Sequence, residues 1–371
     1  MKITCEREQL LTAFQAAASV APSRSPKPIL QNIKLEVSAD TAMLLATDLD
    51  VGIRVQVPGI AVEAAGSAIL HPASFGSILR ESTDASLRLE ADPQGTLIRG
   101  ERSEFRLPGA DPLEFPSVAE FHETKYHEIS ARLFREMIHR TVFATDNEST
   151  RYALGGVLIE LDSQRIIAVG TDGRRLATMS GPAKAVEGHA TSEQMTIVPA
   201  RSMQLIERVL GDAEGDIRLA AKPNSVLVQT PQATVFSRLV EGRYPKWREV
   251  LPQRDGSAKI ELPVGLLHSA VRQAQIVTSK ESRGVDFTFE EGRLTLSGRS
   301  AESGQSRVEL PISYAGSAIS ITLDPRYVGE FLKVLDPDKN FTMDVQDAEN
   351  AAVCISDDGY QYVIMPLARD Q

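Results

Sequence analysis

The residues able to do chemistry are six histidines, two cysteines and a few paired carboxylates. The histidines show no zinc-site spacing, and His122 and His127 fall in a polar stretch where surface positions are expected. Cys5 and Cys354 lie far apart and lack CxxC spacing, so no disulfide framework is expected and a reducing cytoplasm fits. No phosphate loop, dinucleotide fingerprint or nucleophile elbow is present. Asp48-Leu-Asp50 could offer a metal two carboxylates, but it ends a predicted strand, where Asp builds turns. Thr171-Asp-Gly173 stands at the equivalent place in a related segment, and one strand-end turn explains Asp48 and Asp172 together. These patterns predict no catalytic residues, no metal and no cofactor.

What positions residues in this chain is a repeat. Ile197-Val-Pro-Ala-Arg-Ser-Met-Gln-Leu-Ile-Glu-Arg-Val-Leu210 reads as a strand end, a proline at the helix start and a short amphipathic helix with Met203, Ile206 and Leu210 on one face. Related stretches begin at Leu70 and Leu323. Their prolines, Pro72, Pro199 and Pro325, are 127 and 126 residues apart, a domain-sized step. Each third opens with a strand running into a longer helix, from Ile3, Ile129 and Ile260, and Thr4 and Ser130 are placed to cap the first two. Alternating segments predict strands over 33–37, 42–47 and 51–57, over 156–161, 166–171 and 174–179, and over 285–289, 294–297 and 306–310. Three more strands follow each proline helix. The fold class is therefore α+β, with three similar domains at 1–120, 121–252 and 253–371, each two helices on antiparallel sheet. Linkers are expected near 116–127 and 245–257.

Composition is that of a soluble chain able to bury cores, 42% apolar and 24% charged. No run is long enough to span a membrane, and residues 1–20 lack a signal-peptide pattern. The net charge of −10 argues against nucleic acid, but its distribution argues for it. The helical segments 6–20, 72–81, 130–142, 199–210, 263–280 and 325–335 carry −1, 0, +2, +1, +2 and +1, a net of +5, and the rest carries −15. Arg132, Arg135, Arg140, Arg201, Arg208, Arg272, Lys280, Arg326 and Lys333 supply the excess. Twelve helices from two chains, ~8–10 Å apart in a ring, would leave ~25 Å clear inside, room for duplex DNA.

The order of motifs resembles the bacterial sliding clamp, the beta subunit of DNA polymerase III. It is carried by Ala46-Thr-Asp-Leu49, Thr171-Asp-Gly-Arg-Arg-Leu176, Gly242-Arg-Tyr-Pro245 with Val250-Leu-Pro252, and Tyr362-Val-Ile-Met-Pro366. The resemblance spans the chain. It implies a cytoplasmic, non-catalytic processivity factor: a head-to-tail homodimeric ring that encircles duplex DNA without reading sequence. Implied partners are the DNA polymerase III alpha subunit, the clamp loader and other clamp-binding repair and replication proteins.

It also implies sites. Leu154, Thr171, Gly173, Arg174, Arg175, Leu176, Pro245, Val250, Val363, Met365, Pro366 and Leu367 match a groove for partner peptides bearing Gln and apolar anchors. Phe105 and Leu107 match one side of the dimer interface, and Ile276 and Val277 the other. Arg24, Tyr152, Arg201 and Arg326 are the expected DNA contacts. Arg174 stands where many relatives have His, Ser74 where a basic residue is frequent, and Glu148 where a polar amide is common. The tail, Met365-Pro-Leu-Ala-Arg-Asp-Gln371, lacks the usual final Leu. The alternatives are a clamp paralogue or scaffold that binds partner peptides without a replicative role, and an enzyme using Asp48 or Asp172.

Overall fold

The computed structural model describes residues 1–146, 153–191, 195–251, 257–279 and 283–368. Seven helices occur among them: α1 (Arg7–Ala18), α2 (Pro72–Glu81), α3 (Ala131–Thr141), α4 (Ala200–Leu210), α5 (Trp247–Val250), α6 (Val264–Ala274) and α7 (Pro325–Lys333). The chain forms two compact units. Residues 1–135, 161–164 and 183–240 make one, and 136–160, 165–182 and the chain from 241 onward make the other.

In the first unit a five-stranded sheet runs in the order Ile60–Ala64, Lys2–Glu6, Ser86–Asp92, Gly95–Arg99, Glu104–Leu107. A nine-stranded sheet begins with Lys184–Val186, Tyr126–Ser130, Asp216–Lys222, Ser225–Gln229 and Ala233–Arg238. It continues through Val51–Gln56, Ala42–Thr47, Ile33–Val37 and Gly66–Leu70. The central junction is antiparallel, with Val235 opposite Ile53 and Phe236 opposite Gly52. Helix α1 buries Leu10, Ala13, Phe14 and Ala17 at helical spacing, and Phe14 meets Phe75 of α2 edge to face at 4.9 Å. Met203, Ile206 and Leu210 of α4 are buried, as their periodicity requires.

The second unit carries the sheet order Gly156–Leu161, Arg165–Thr171, Arg175–Pro182, Gln361–Ile364, Ala352–Ile355, Asn340–Val345, Ala258–Pro263. A four-stranded sheet adds Gly304–Pro311, Arg293–Ser300, Val285–Glu290 and Ile319–Leu323. Here too strands remote in sequence pair, Leu176 opposite Val363. Phe331 of α7 stacks on Tyr362 at 4.8 Å and meets Phe341 at 5.2 Å.

The expected strands are all present, with three strands after α2, α4 and α7. The short strands Ile60–Ala64 and Lys184–Val186 are additional; each pairs with the opening strand of its third. Thr4 does not cap α1. It lies within the strand Lys2–Glu6, and the N-cap residue, Glu6, makes no side-chain cap bond. Cys5 and Cys354 are free and buried, and burial pushes the Cys5 thiol up to about 12, so neither is a nucleophile at neutral pH. Among the described residues no helix is long and apolar enough to cross a membrane.

His127 corrects the surface expectation, whereas His122 is exposed beside Glu120. Residue 127 already belongs to the strand Tyr126–Ser130 and faces the core, fully buried. Its Nδ1 lies 2.6 Å from Nδ1 of buried His189. Nε2 of His127 donates to the Asp162 carbonyl at 2.6 Å, and Nε2 of His189 accepts from the Ala221 N–H at 3.1 Å. These bonds leave His127 Nδ1 a lone pair and give the Nδ1 proton to His189, so both rings are neutral. Burial is the main force lowering both pKa values. The unfolded chain, with histidines near ~6.5, then binds more protons than the folded one. The pair's contribution is complete above that pH and is lost as pH falls toward the lowered folded values. Thermal melts should show stability dropping from pH 7 to pH 5, with a shallower slope in His189→Gln.

Gly170 is a second tight point, because a Cβ there would lie 2.1 Å from the Thr141 carbonyl oxygen. Gly170→Ala should cost about 2–3 kcal/mol in denaturant unfolding, through overpacking that backbone cannot relieve.

Candidate peptide groove and DNA-facing residues

The hairpin between Arg165–Thr171 and Arg175–Pro182 is held by its own side chains. Thr171 Oγ1 donates to the Arg175 carbonyl at 2.6 Å and accepts from the Gly173 N–H at 3.1 Å. Asp172 Oδ1 accepts from the N–H groups of Arg174 and Arg175, at 2.9 and 3.0 Å. Gly173 has φ +84°, where glycine has no Cβ penalty. The first unit repeats this turn. Thr47 Oγ1 donates to the Val51 carbonyl at 2.8 Å, Asp48 Oδ1 accepts from the N–H groups of Asp50 and Val51, and Leu49 takes φ +81°. Both aspartates are turn builders, as their place in the repeat predicts. Among the described residues no three His, Cys, Asp or Glu side chains could hold a metal ion.

Arg175 locks the hairpin to its surroundings. Its Nε donates to Asp172 Oδ2 at 3.0 Å, Nη2 donates to the Phe143 carbonyl at 2.8 Å, and Nη1 pairs with Glu330. The guanidinium lies over the Tyr327 ring at 4.3 Å. With 8% exposure and these partners it fixes the wall of the candidate groove, leaving little to offer a ligand.

The other groove positions sort into floor and rim. Leu154, Thr171, Leu176 and Val363 are buried; Pro245, Pro366 and Leu367 are half-buried; Gly173, Arg174, Val250 and Met365 are exposed. The Met365 N–H donates to the Arg174 carbonyl at 2.9 Å, fixing the tail beside the hairpin. The Leu367 N–H donates to the Thr322 carbonyl at 2.9 Å. Arg369–Gln371 lie outside the described residues. Tyr244, before Pro245, anchors that segment by donating its hydroxyl to the Val169 carbonyl at 2.8 Å, and burial raises its pKa. The Ala153 N–H donates to the Arg243 carbonyl at 3.2 Å, which brings Leu154 to the same segment.

Sequence reasoning missed α5. Trp247 Nε1 donates to Glu160 Oε1 at 3.1 Å, and Arg248 grips the same carboxylate with both Nη atoms, at 3.1 and 2.5 Å. Burial raises the Glu160 pKa, but these donors outweigh it and hold the carboxyl below its ordinary value. The chain's single tryptophan, two residues after Pro245, was the available signal.

The expected DNA contacts differ in how free they are. Arg24 is exposed in the loop before the 3-10 turn Pro28–Gln31 and makes no ion pair among the described residues. Arg201 is exposed but pairs with Asp48 at 3.0 Å. Arg326 pairs at 2.7 Å with Asp324, the buried N-cap of α7. Tyr152, Glu148 and Lys280 lie outside the described residues. The helix charge count also needs correction at Arg140, which is buried and paired with Asp358 and Glu136. Arg132, Arg272 and Lys333 are exposed and make no ion pair among the described residues, and Arg208 bonds only the Gln204 carbonyl, at 3.4 Å.

Known proteins resemble this chain over its whole length. Family models for the DNA polymerase III beta subunit match residues 1–119 (N-terminal domain), 128–246 (central domain) and 248–368 (C-terminal domain). The Beta sliding clamp of Caulobacter vibrioides is 30% identical over 99% of this chain and all of its own length. That of Escherichia coli K12 is 28% identical, with 99% and 100% covered. A crystal structure of a sliding clamp from Pseudomonas aeruginosa bound to griselimycin aligns over the whole of both chains, at TM-score 0.90 and 25% identity. The fold and these matches define a DNA clamp, built from three clamp domains of mixed helix and antiparallel sheet. The chain belongs to the DNA polymerase III beta subunit family, and its function is that of a sliding clamp, a polymerase processivity factor.

Arg175→Ala would leave the Asp172 carboxylate, 13% exposed, without its cation and the Phe143 carbonyl without that donor. It should cost about 3 kcal/mol, more than Arg174→Ala at the exposed neighbouring position, when both are compared by denaturant unfolding.

Proposed function

We propose that two copies close head to tail into a ring around duplex DNA, and that the groove tethers the polymerase III alpha subunit, the clamp loader and other replication and repair proteins. The ring works in the cytoplasm, without catalysis or cofactor, through domains at 1–120, 121–252 and 253–371. The observation that carries this reading is a pair of open strand edges. Glu104–Leu107 ends the five-stranded sheet, and Gly304–Pro311 ends the four-stranded one. An unpaired edge invites a further strand. Apolar side chains lie near both: Phe105 is 41% exposed beside a cavity of about 710 Å³, and Ile276, in the 3-10 turn after α6, is 76% exposed. Val277 and Leu107 are half-buried. Packing Ile276 and Val277 of one copy against Phe105 and Leu107 of the other would cover apolar surface that an isolated chain leaves to water.

The DNA contact is electrostatic and independent of sequence, through Arg24, Tyr152, Arg201, Arg326 and the exposed cations of the helices. In the groove, Met365 and Val250 are the exposed apolar side chains and Leu176 and Val363 the floor, a surface suited to a peptide's apolar anchors.

Two experiments test this reading. Ile276→Ala with Val277→Ala should leave a folded, cooperatively melting monomer in sedimentation, weakening the dimer by roughly a hundredfold. A persistent dimer, or loss of the melt, would remove the interface assignment. Deleting residues 365–371 should abolish stimulation of a cognate polymerase and leave the dimer intact; full stimulation by the truncated chain would place the groove elsewhere.

A further inference from the structure

The repeat builds the same strand junction in each unit, and the two junctions are filled differently. The strands opening at Lys2 and Tyr126, the helices opening at Arg7 and Ala131, and the turns at Thr47 and Thr171 are each 124 residues apart (126 − 2, 131 − 7 and 171 − 47). By that step Thr12 matches Glu136, Ala16 matches Arg140 and Ile53 matches Ala177. Val235 stands opposite Ile53, and Tyr362 opposite Ala177. Ala233, two residues before Val235, therefore matches Tyr360.

In the second unit large side chains close this place. Tyr360 is fully buried and donates its hydroxyl to the Arg140 carbonyl at 2.8 Å. The Arg140 guanidinium lies over the Tyr360 ring at 5.2 Å, paired with Glu136 and Asp358. In the first unit Thr12, Ala16 and Ala233 stand at those positions and line a cavity of about 690 Å³. Two alanines in place of an arginine and a tyrosine leave an opening between α1 and α4 above the strand junction.

Its lining combines three kinds of surface. Val55 and Ala233, opposite each other across the junction, form an apolar slot with Ala13 and Ala16 of α1. Gln15, Gln56 and Gln232 stand around the slot, exposed, and their amides make no hydrogen bond among the described residues. Each amide offers donors and an acceptor. Arg208 of α4 also lines the cavity, and its Nε reaches the Gln204 carbonyl at 3.4 Å, which leaves both Nη groups available. A slot for a flat ring, amides for a ring edge and a guanidinium for an anion together match a nucleotide. Glutamine pairs with adenine through two hydrogen bonds, and arginine binds phosphate through charge-assisted ones.

We propose that the crevice between α1 and α4 binds a nucleotide, with the base in the slot that Tyr360 fills at the other junction and the phosphate on Arg208. The nucleotide is either free in solution or an unpaired unit of a single strand. Either source presents the same base and phosphate.

Isothermal titration of the full chain with AMP, adenosine and tetradeoxyadenylate tests the site and separates the sources. AMP should bind saturably and roughly tenfold tighter than adenosine, the worth of one charge-assisted contact. Arg208→Gln, at an exposed position, should remove that difference. Ala16→Arg, which introduces the side chain of the other junction, should weaken AMP at least tenfold while the thermal melt stays cooperative. This variant adds a cation, so a contact that is merely electrostatic would strengthen instead. Saturable binding of tetradeoxyadenylate alone, weakened by both substitutions, assigns the site to a strand. Absence of saturable binding by AMP and by tetradeoxyadenylate overturns the proposal, as does binding that either folded variant leaves unchanged. Should Ala16→Arg fail to fold, the Arg208→Gln comparison decides by itself.

Discussion

Backbone pairing between strands that are remote in sequence organises this molecule. Ala233–Arg238 completes a sheet with Val51–Gln56, and Gln361–Ile364 completes one with Arg175–Pro182. Each junction satisfies a row of amide and carbonyl groups that would otherwise face water, at a net gain of about 1 kcal/mol per bond. The consequence is visible in the two compact units, which divide the chain differently from its threefold repeat. A polar linker at the end of a repeat therefore does not mark a mechanical boundary here. Sheets run through from one repeat to the next, and the groove hairpin lies at such a junction.

The same local solution serves two purposes. Thr-Asp at a strand end builds one turn at Thr47–Val51 and again at Thr171–Arg175, with matching hydrogen bonds. What differs is the residue at positive φ and the use of the second carboxylate oxygen. Leu49 accepts a conformation that costs an ordinary side chain about 1–2 kcal/mol, whereas Gly173 adopts it freely. Asp48 turns its other oxygen to the exposed Arg201, and Asp172 turns its own to the buried Arg175. One turn thus sits beside a residue expected at DNA, and the other shapes the candidate peptide site. Buried Arg175, with half-buried Glu330, Tyr327 and Phe143 around it, holds the wall of the candidate groove through its own hydrogen bonds.

Much of the fold was legible because its cues are local. Helical spacing placed Met203, Ile206 and Leu210 in the core, and alternation located the longer strands. Proline at a constant interval gave the threefold organisation. Long-range features were not legible. Nothing near His127 announces His189, because the two rings are brought together by strand pairing across the unit. Charge counting could not separate Arg140, buried against Asp358, from exposed Arg132 on the same helix. In the site, the motif residues were recognisable, yet the distinction between an arginine that shapes the wall and one that faces solvent required the partners of Arg175. The α5 segment was invisible to periodicity because four residues are too few to show a helical face.

The central property is topological: a sliding clamp holds DNA by surrounding it. The direct measurement is retention on nicked circular duplex after loading, followed by cutting the circle and separating bound from free protein by gel filtration. The account predicts that protein stays with the closed circle at moderate salt and is lost once the DNA has ends. Equal retention on the cut and uncut DNA would contradict it.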